Sequence, residues 1–168
     1  PGGNHEYLVD GGNGGRDMDG RTLFFYLATV NTPAMVLELP GVGSQYTFSS
    51  RDSSGAYLDG SKTYKVNIPA NPPAQRFWSV VVYDPQTRSM LQSKEMPYPS
   101  KNNKRNPEMA KNADGSIDLY FGPEAPAGQE ANWVKTVPGK GWFGIFRLYG
   151  PGQEWFDRSW KLGAIEQL

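Results

Sequence analysis

The chain has 168 residues, of which 38% are hydrophobic and 13% aromatic, so it can bury a core and global disorder is excluded. The 17 basic and 17 acidic residues give zero net charge, so no strong field favours nucleic acid or an anionic membrane. The absence of cysteine excludes disulfides, thiolate zinc sites and cysteine nucleophiles.

The N-terminal stretch differs in composition from the rest of the chain. Residues 1–16 are rich in glycine and have no periodic apolar pattern, which predicts a flexible arm. The chain starts at Pro1 without a methionine, and we expect it to be the C-terminal part of a longer protein. Apolar residues at helical spacing then predict a short helical segment at the start of a single domain, 17–168; they are Leu23, Phe24, Leu27 and Val30.

Strand patterns begin after Gly43, where "SQYTFSS" can extend. The stretch "KTYKVNIP" alternates, with Tyr64, Val66 and Ile68 on one face, which predicts a strand with one buried side. The stretch "RFWSVVVYD" is apolar on both faces and predicts a central strand, closed by a turn at Asp84. The polar stretch 92–112 carries prolines and a modest basic group, and it predicts a long solvated loop.

The second half of the chain contains two further strand patterns. In "NADGSIDLYFGP", Asp114 and Gly115 predict a turn and Ile117 to Phe121 a strand, whose polar face carries Asp118. "WFGIFRLYG" predicts a last strand, followed by an irregular aromatic tail along the domain edge. Short strands between glycine and proline turns indicate a mainly β fold: an antiparallel β-sandwich of jelly-roll type with a short N-terminal helical segment.

Few residues can carry familiar chemistry. His5 is the single histidine and lies in the arm, so a Ser-His-Asp triad or a histidine metal site is not expected. We expect no metal and no cofactor. Arg147 shares a strand face with apolar side chains, and a buried unpaired guanidinium is costly. We therefore predict a carboxylate opposite Arg147, with Asp118 or Asp84 as partner, more readily as a structural ion pair than as a catalytic one.

Two sets of candidate site residues can be named. A hydrolase would use Asp118, Asp84 or Asp114 as acid or base, and Arg147 and Tyr149 to stabilise charge. A ligand-binding site would draw on Trp133, Asn132 and Asp59. Neither set has a spacing that identifies a substrate.

An ordered set of motifs resembles the bacterial family catalogued as domain of unknown function 1214. The motifs are "YLDGSKTY", "FWSVVVYD", "NADGSIDLYFGP", "NWV" and "FRLYGP", and the resemblance covers roughly residues 30–162. It implies jelly-roll-like β domains, an N-terminal companion domain catalogued as unknown function 1254, and a periplasmic or secreted location. It implies no catalytic residues; the family-like polar positions are Asp59, Ser79, Asp84, Asp114, Ser116, Asn132, Arg147 and Tyr149.

Three hypotheses remain open from the sequence. The first is a binding or structural domain that forms half of a larger two-domain protein. The second is a carboxylate hydrolase acting on a glycan, ester or phosphate. The third is a module that binds sugars or small molecules on exposed tryptophans. The expected partner is the chain's own N-terminal domain, with self-association as an alternative, and neither nucleic acid nor a membrane span is expected.

Overall fold

The computed structural model describes residues 38–168 and five residues before them, Met18, Asp19, Thr22, Phe25 and Tyr26. Those five are helical, and the Thr22 hydroxyl donates to the Met18 carbonyl oxygen at 2.8 Å, one helical turn back. The predicted arm and most of the predicted N-terminal helical segment lie outside the described residues.

Strands dominate the described part of the chain. In chain order they are β1 (Ser44–Ser49), β2 (Tyr64–Ile68), β3 (Ala74–Tyr83), β4 (Ser100–Asn102), β5 (Ile117–Gly122), β6 (Trp133–Lys135), β7 (Phe143–Pro151) and β8 (Ile165–Gln167). They form two four-stranded sheets, with the orders β1-β7-β3-β4 and β6-β5-β2-β8. The only helical elements between 38 and 168 are a 3₁₀ turn at Glu130–Asn132 and a short α-helix at Gln153–Phe156. The expectation of a mainly β fold is confirmed.

Pairing in both sheets is antiparallel except at one place. Strand β6 runs parallel to β5, with Tyr120 opposite Trp133. Residues 123–132 carry the chain back along the sheet before β6 begins, so the two strands point the same way. The sequence pattern gave no sign of this parallel pair.

One hydrophobic core takes side chains from both sheets. The predicted buried face of β2 is confirmed, and it pairs with the buried face of β5 in register, Val66 opposite Leu119. Strand β3 is central, as predicted, because it pairs with both β7 and β4. Its Trp78, Val80 and Val82 are buried in the core.

Strand β1 turns its polar side chains toward the core. Directly opposite residues of antiparallel strands share a face. Thr47 lies opposite Phe146, and Gln45 opposite Leu148, and both of those β7 residues belong to the core. The aromatic ring of Tyr46 therefore projects from the outer face of the sheet.

Two predicted irregular regions contain strands. The predicted loop 92–112 includes β4, where Lys101 lies opposite Val80 and is buried rather than solvated. The C-terminal tail includes the short helix and β8, which pairs with β2, and Trp160 enters the core. Within the described residues, no helix is both long and apolar enough to span a membrane.

Candidate functional site

A cavity of about 460 Å³ lies between the two sheets. Its walls are inner side chains of both sheets, Val66 and Phe121 on one side and Val80 and Phe146 on the other. It opens on the side where the edge strands β1 and β8 lie, and its mouth is formed by residues 49–53, Gly55 and 162–165. This cavity is the candidate ligand site, because it is concave, mainly apolar and reaches the core.

A hydrogen-bonded loop shapes one side of the mouth. The Asp52 Oδ1 atom accepts hydrogen bonds from the Ser54 hydroxyl at 2.6 Å and from the backbone nitrogens of Ser54 and Ala56 at 2.9 and 3.0 Å. The Ser54 hydroxyl, together with these N–H groups, lowers the pKa of the Asp52 carboxyl. The Ser53 nitrogen donates to the Ile165 carbonyl at 2.7 Å, so the loop is tied to β8.

Two residues that line the cavity carry a buried polar atom with no hydrogen-bond partner among the described residues. The two atoms are the Thr47 hydroxyl and the Trp142 indole N–H, in side chains that are 4% and 2% exposed. The Trp142 ring is held by packing, stacked on Phe121 at 4.9 Å and edge-on to Tyr64 at 5.7 Å. A buried polar group without a partner is destabilising, so these two atoms reduce the stability of the core around them.

A second cavity, of about 580 Å³ and lined mainly by polar residues, lies on the outer face of the β6-β5-β2-β8 sheet, where β2 and β5 pair. It is lined by the segment that carries Asp114 and Asp118, together with Asn67. The Asn67 amide donates to Asp118 at 2.7 Å and to Ser116 at 3.1 Å. The Ser116 hydroxyl accepts from the Asn112 amide at 2.9 Å. This chain of hydrogen bonds connects the polar side chains of the second cavity to one another.

The turn predicted at Asp114 and Gly115 is confirmed. Gly115 has a φ of 83°, and its nitrogen donates to the Asn112 carbonyl at 2.9 Å. Asp114 accepts from the Ser116 hydroxyl and nitrogen at 2.7 and 2.9 Å, and these bonds lower the pKa of its carboxyl. An acid of this kind stays ionised, the reverse of what a general acid needs at neutral pH.

The predicted partners of Arg147, Asp118 and Asp84, are wrong, because the residues opposite it in its sheet are Tyr46 and Ser79. The Arg147 guanidinium donates to the Tyr83 hydroxyl at 2.8 Å and lies 5.6 and 5.5 Å from the ring centres of Tyr46 and Tyr83. It lies on the half-buried outer face of β7, where the two tyrosine rings stabilise its charge. Asp118 belongs to the other sheet.

Asp84 has a structural role at the end of β3. Its Oδ2 atom accepts from the Lys140 ammonium at 2.7 Å, and its Oδ1 atom from the nitrogens of Gln86 and Thr87 at 2.8 and 3.3 Å. The Lys140 hydrogen bond, aided by the Gln86 N–H, lowers the pKa of Asp84. The predicted turn after this strand is confirmed.

The four catalytic candidates do not form one site in the described structure. Asp118 lines the second cavity, on the β6-β5-β2-β8 sheet, and Asp84 lies in the turn that follows β3 of the other sheet. Arg147 contacts tyrosines on the outer face of β7, and the Tyr149 ring stacks on Phe77 at 4.1 Å. Asp118 and Arg147 belong to different sheets, and Asp84 pairs with Lys140 rather than with Arg147.

The three ligand-binding candidates lie outside both cavities. Asn132 is buried, accepts from the Ala110 nitrogen at 2.8 Å, and donates to the carbonyls of Ala110 and Asp118 at 2.9 and 2.8 Å. The Trp133 indole donates to the Gly122 carbonyl at 3.0 Å. Asp59 accepts from the Ser61 nitrogen at 2.8 Å in a turn. Each of them fixes a loop.

Sequence reasoning missed Thr47 and Trp142. The alternation in β1 would assign the aromatic residues to the core, and only pairing with β7 shows that Thr47 faces inward. Trp142 resembles any other core tryptophan until its unpaired N–H is seen. Among the described residues, no three His, Cys, Asp or Glu side chains come together as metal ligands would.

Comparison with solved structures identifies a similar fold. The crystal structure of the VPA0106 protein from Vibrio parahaemolyticus matches with a TM-score of 0.67 and 25% identity, over 94% of this chain and 36% of that chain. An uncharacterized protein from Burkholderia cenocepacia matches with a TM-score of 0.45 and 19% identity, over 74% of this chain and 29% of that one. The chain thus spans about a third of the length of each.

The search of curated proteins gave no match. A family model does match, over residues 43–153, which include every strand from β1 to β7 together with the walls of the cavity contributed by them. The matched region is most of the chain, and the chain therefore belongs to the family described as "Protein of unknown function (DUF1214)".

Proposed function

We propose that this chain is a binding domain, one part of a longer bacterial protein, and that it holds a small molecule between its two sheets. The observation that carries the proposal is the cavity of about 460 Å³. Its volume lies within the range of roughly 300–1,000 Å³ that is usual for small-molecule sites. Its inner walls are side chains of paired strands, such as Val66 and Phe146, which hold that part of the site in place.

Binding of a neutral, apolar fluorophore tests this proposal. We expect N-phenyl-1-naphthylamine to bind saturably with one site per chain, since the walls are apolar and the probe carries no charge. Val80 and Val81 are neighbours on β3, but only Val80 lines the cavity. Val80→Phe should therefore reduce the probe's affinity about tenfold or more, by filling the site. Val81→Phe, on the outer face, should leave the affinity unchanged.

A second blocking variant guards against misfolding of Val80→Phe. Gly144 also lines the cavity, and a Cβ built there would meet only the Trp142 ring at 3.6 Å, an ordinary contact. Gly144→Val should therefore fold and also weaken binding. Probe binding that neither Val80→Phe nor Gly144→Val reduces would contradict a site between the sheets, as would the absence of saturable binding to the unaltered chain.

The place of the domain in a larger protein belongs to the same proposal. The similar Vibrio chain is almost three times as long as the aligned part, which supports a companion domain. We place that companion, of the unknown-function 1254 type, N-terminal to a single domain spanning residues 17–168. The shared core supports a jelly-roll type of β-sandwich. Titration calorimetry between the separately expressed companion and this chain should show association, and no heat of binding would argue against it.

The two alternative functions have less support. A carboxylate hydrolase needs converging groups, and Asp118, Asp84 and Arg147 lie apart, while the Asp84 pKa is lowered rather than raised. A sugar platform needs exposed tryptophans, and three of the five are buried, namely Trp78, Trp142 and Trp160. The inter-sheet cavity therefore remains the best-supported site.

A further inference from the structure

We infer that the ligand of the cavity between the sheets is an amphiphile with a carboxylate head group, such as a medium-chain fatty acid. Its apolar chain would fill the cavity, and its head group would bind Arg51 at the mouth. The inference rests on the binding function proposed above and adds the chemical class of the ligand. Its basis is an exposed cation at the mouth of a mainly apolar cavity.

The interior of the cavity suits a hydrocarbon chain. The side chains that form its walls are buried and belong to the hydrophobic core; they are Val66, Val80, Phe121 and Phe146. Each methylene group that a ligand buries against such walls favours binding. A charged group placed there would be without a partner, which is costly. A charged head group therefore belongs at the mouth, with the chain inside.

The Arg51 guanidinium lies at this mouth. It donates to the Gly55 carbonyl oxygen at 2.6 Å, and Gly55 itself lines the mouth. Arg51 also lies opposite Tyr57 in an antiparallel bridge, and its guanidinium carbon lies 3.8 Å from the centre of the Tyr57 ring. These two contacts hold the side chain in one orientation, so little conformational freedom is left to lose when a ligand binds.

The charge of Arg51 is available to a ligand. Both of these contacts are with neutral groups, and the carbonyl bond occupies one of the several N–H donors of a guanidinium. The ion pairs within the described part of the chain are formed by Lys101, Lys135 and Lys140 rather than by Arg51. A carboxylate can accept from adjacent N–H groups with both of its oxygens, and one guanidinium neutralises its single charge.

The other charged residue of the lining, Asp52, does not cancel this charge. Its Oδ1 atom accepts from the Ser54 hydroxyl and from the nitrogens of Ser54 and Ala56. Asp52 is only 9% exposed, whereas Arg51 is exposed. The negative charge is therefore satisfied within its own loop, and the accessible charge at the mouth is positive. This favours an anionic head group over a cationic one.

Three probes with the same chain and different head groups test this class. Decanoate, 1-decanol and decyltrimethylammonium each compete with N-phenyl-1-naphthylamine bound to the whole chain, and the loss of its fluorescence gives their affinities. We expect decanoate to bind more tightly than decyltrimethylammonium. Arg51→Gln should lower the ratio of decanoate to decanol affinity about fivefold, the upper end of what an exposed ion pair contributes. High salt should lower the same ratio in the unaltered chain.

Control variants locate the head group and the chain. Arg51→Lys keeps a positive charge and should keep more of the affinity ratio than Arg51→Gln does. Arg105→Gln removes the same charge from an exposed position outside the cavity and should leave the ratio unchanged. Val80→Phe should weaken decanoate and decanol alike, by about tenfold or more, because both chains lie inside. In ¹H–¹⁵N spectra, the Arg51 Nε resonance should move with decanoate and stay in place with decanol.

The outcomes separate this inference from the proposed function. If the fluorophore binds saturably but Arg51→Gln leaves the decanoate-to-decanol ratio unchanged, the head-group class is wrong while the binding function stands. Tighter binding of decyltrimethylammonium than of decanoate would also overturn the anionic class. If the Arg51 resonance follows decanoate equally well in Val80→Phe, decanoate binds at the surface alone and the inference fails. If the fluorophore does not bind saturably, both proposals fail.

Discussion

Asp84 is a buried carboxylate that follows β3 and binds Lys140 from the connection before β7. Lys140 and two backbone N–H groups bind its oxygens, and they favour the ionised form over the protonated one. The pKa of Asp84 is therefore lower in the folded chain than its ordinary value of 3.8. Between the two values the unfolded chain binds more protons, so the stability contributed by Asp84 is full above pH 3.8 and is lost as the pH falls through the folded pKa.

We predict that Asp84→Asn lowers the free energy of unfolding by about 1 kcal/mol at pH 7, since asparagine keeps the backbone contacts and loses the charge. The difference from the unaltered chain should shrink below pH 3.8. Urea denaturation at a series of pH values measures it. Lys140→Met should cost a similar amount at pH 7 and add little to Asp84→Asn, because both remove one interaction. If the stability difference between Asp84→Asn and the unaltered chain grew on acidification, the pKa of Asp84 could not be lowered by folding.

Lys101 shows the opposite case, a charge whose burial is costly. It is 8% exposed on β4, and it forms an ion pair with Glu108 at 3.9 Å. Burial lowers the pKa of Lys101, and the charge of Glu108 opposes this only in part. An inward-pointing lysine on an edge strand discourages pairing with another chain, at a cost in stability.

We therefore predict that Lys101→Met raises the free energy of unfolding by about 1 kcal/mol at pH 7, because methionine fills a similar volume without a charge to desolvate. Chemical denaturation is the measurement. Lys111→Met, at an exposed position of the same loop, should change stability by less than about 0.5 kcal/mol. A clear loss of stability in Lys101→Met would show that the ion pair outweighs burial.

Single-residue roles were the hardest part to predict from sequence. Alternation correctly placed Arg147 on a face with Ile145 and Tyr149, but it cannot say which face of a sheet becomes the core. Arg147 proved to be on the outer face, where Tyr83 and Tyr46 bind it. For the same reason, the sequence did not indicate that Thr47 is buried, because the polar face of β1 is the one that faces the core.

At the scale of elements, strand length decided what could be predicted. Strands β2, β3, β5 and β7 have five or more residues and a clear pattern, and the sequence predicted all four. Strands β4, β6 and β8 have three residues each, too few for alternation to be visible. Their positions are set by pairing with distant strands, which a local pattern does not contain.

The close approach of two connections depends on a glycine. A Cβ on Gly60 would lie 2.8 Å from the Lys140 carbonyl oxygen and closer still to that of Val137. Gly141, across the same contact, would meet the Leu58 carbonyl oxygen only at 3.6 Å. A glycine-to-alanine substitution can therefore be compared at a crowded position, Gly60, and at an uncrowded one, Gly141.

We predict that Gly60→Ala lowers the free energy of unfolding by about 3 kcal/mol, because backbone atoms must move to admit the methyl group. Gly141→Ala should be neutral or stabilising by up to about 1 kcal/mol, because it fits and it restricts the unfolded chain. Thermal and urea denaturation of both variants provide the comparison. Equal effects at the two sites would refute the steric explanation.

At the scale of the whole molecule, the two sheets share one core. Trp142 contacts Phe121 and Tyr64 of one sheet and directly precedes β7 of the other. Neither sheet can separate without exposing the inner side chains of its partner. The fold class could be predicted because it depends on composition and strand patterns; the order of strands could not, because it depends on contacts between remote segments.

We predict one cooperative unfolding transition for residues 17–168. Far-ultraviolet circular dichroism, which follows the strands, and tryptophan fluorescence, which follows the core, should give the same urea midpoint. The physical reason is the shared core. Two separate midpoints would indicate that the sheets unfold independently, and they would also count against the single domain.

The two strands beside the cavity mouth, β1 and β8, should form slowly. Strand β1 pairs only with β7, and β8 only with β2, so each joins its sheet through residues almost at the opposite end of the described chain. Closing such long segments costs more entropy than forming a hairpin, so these edges should form late in folding and open first by local fluctuation. The side of the molecule that admits a ligand would then also be its least protected side, and a bound molecule would slow its opening.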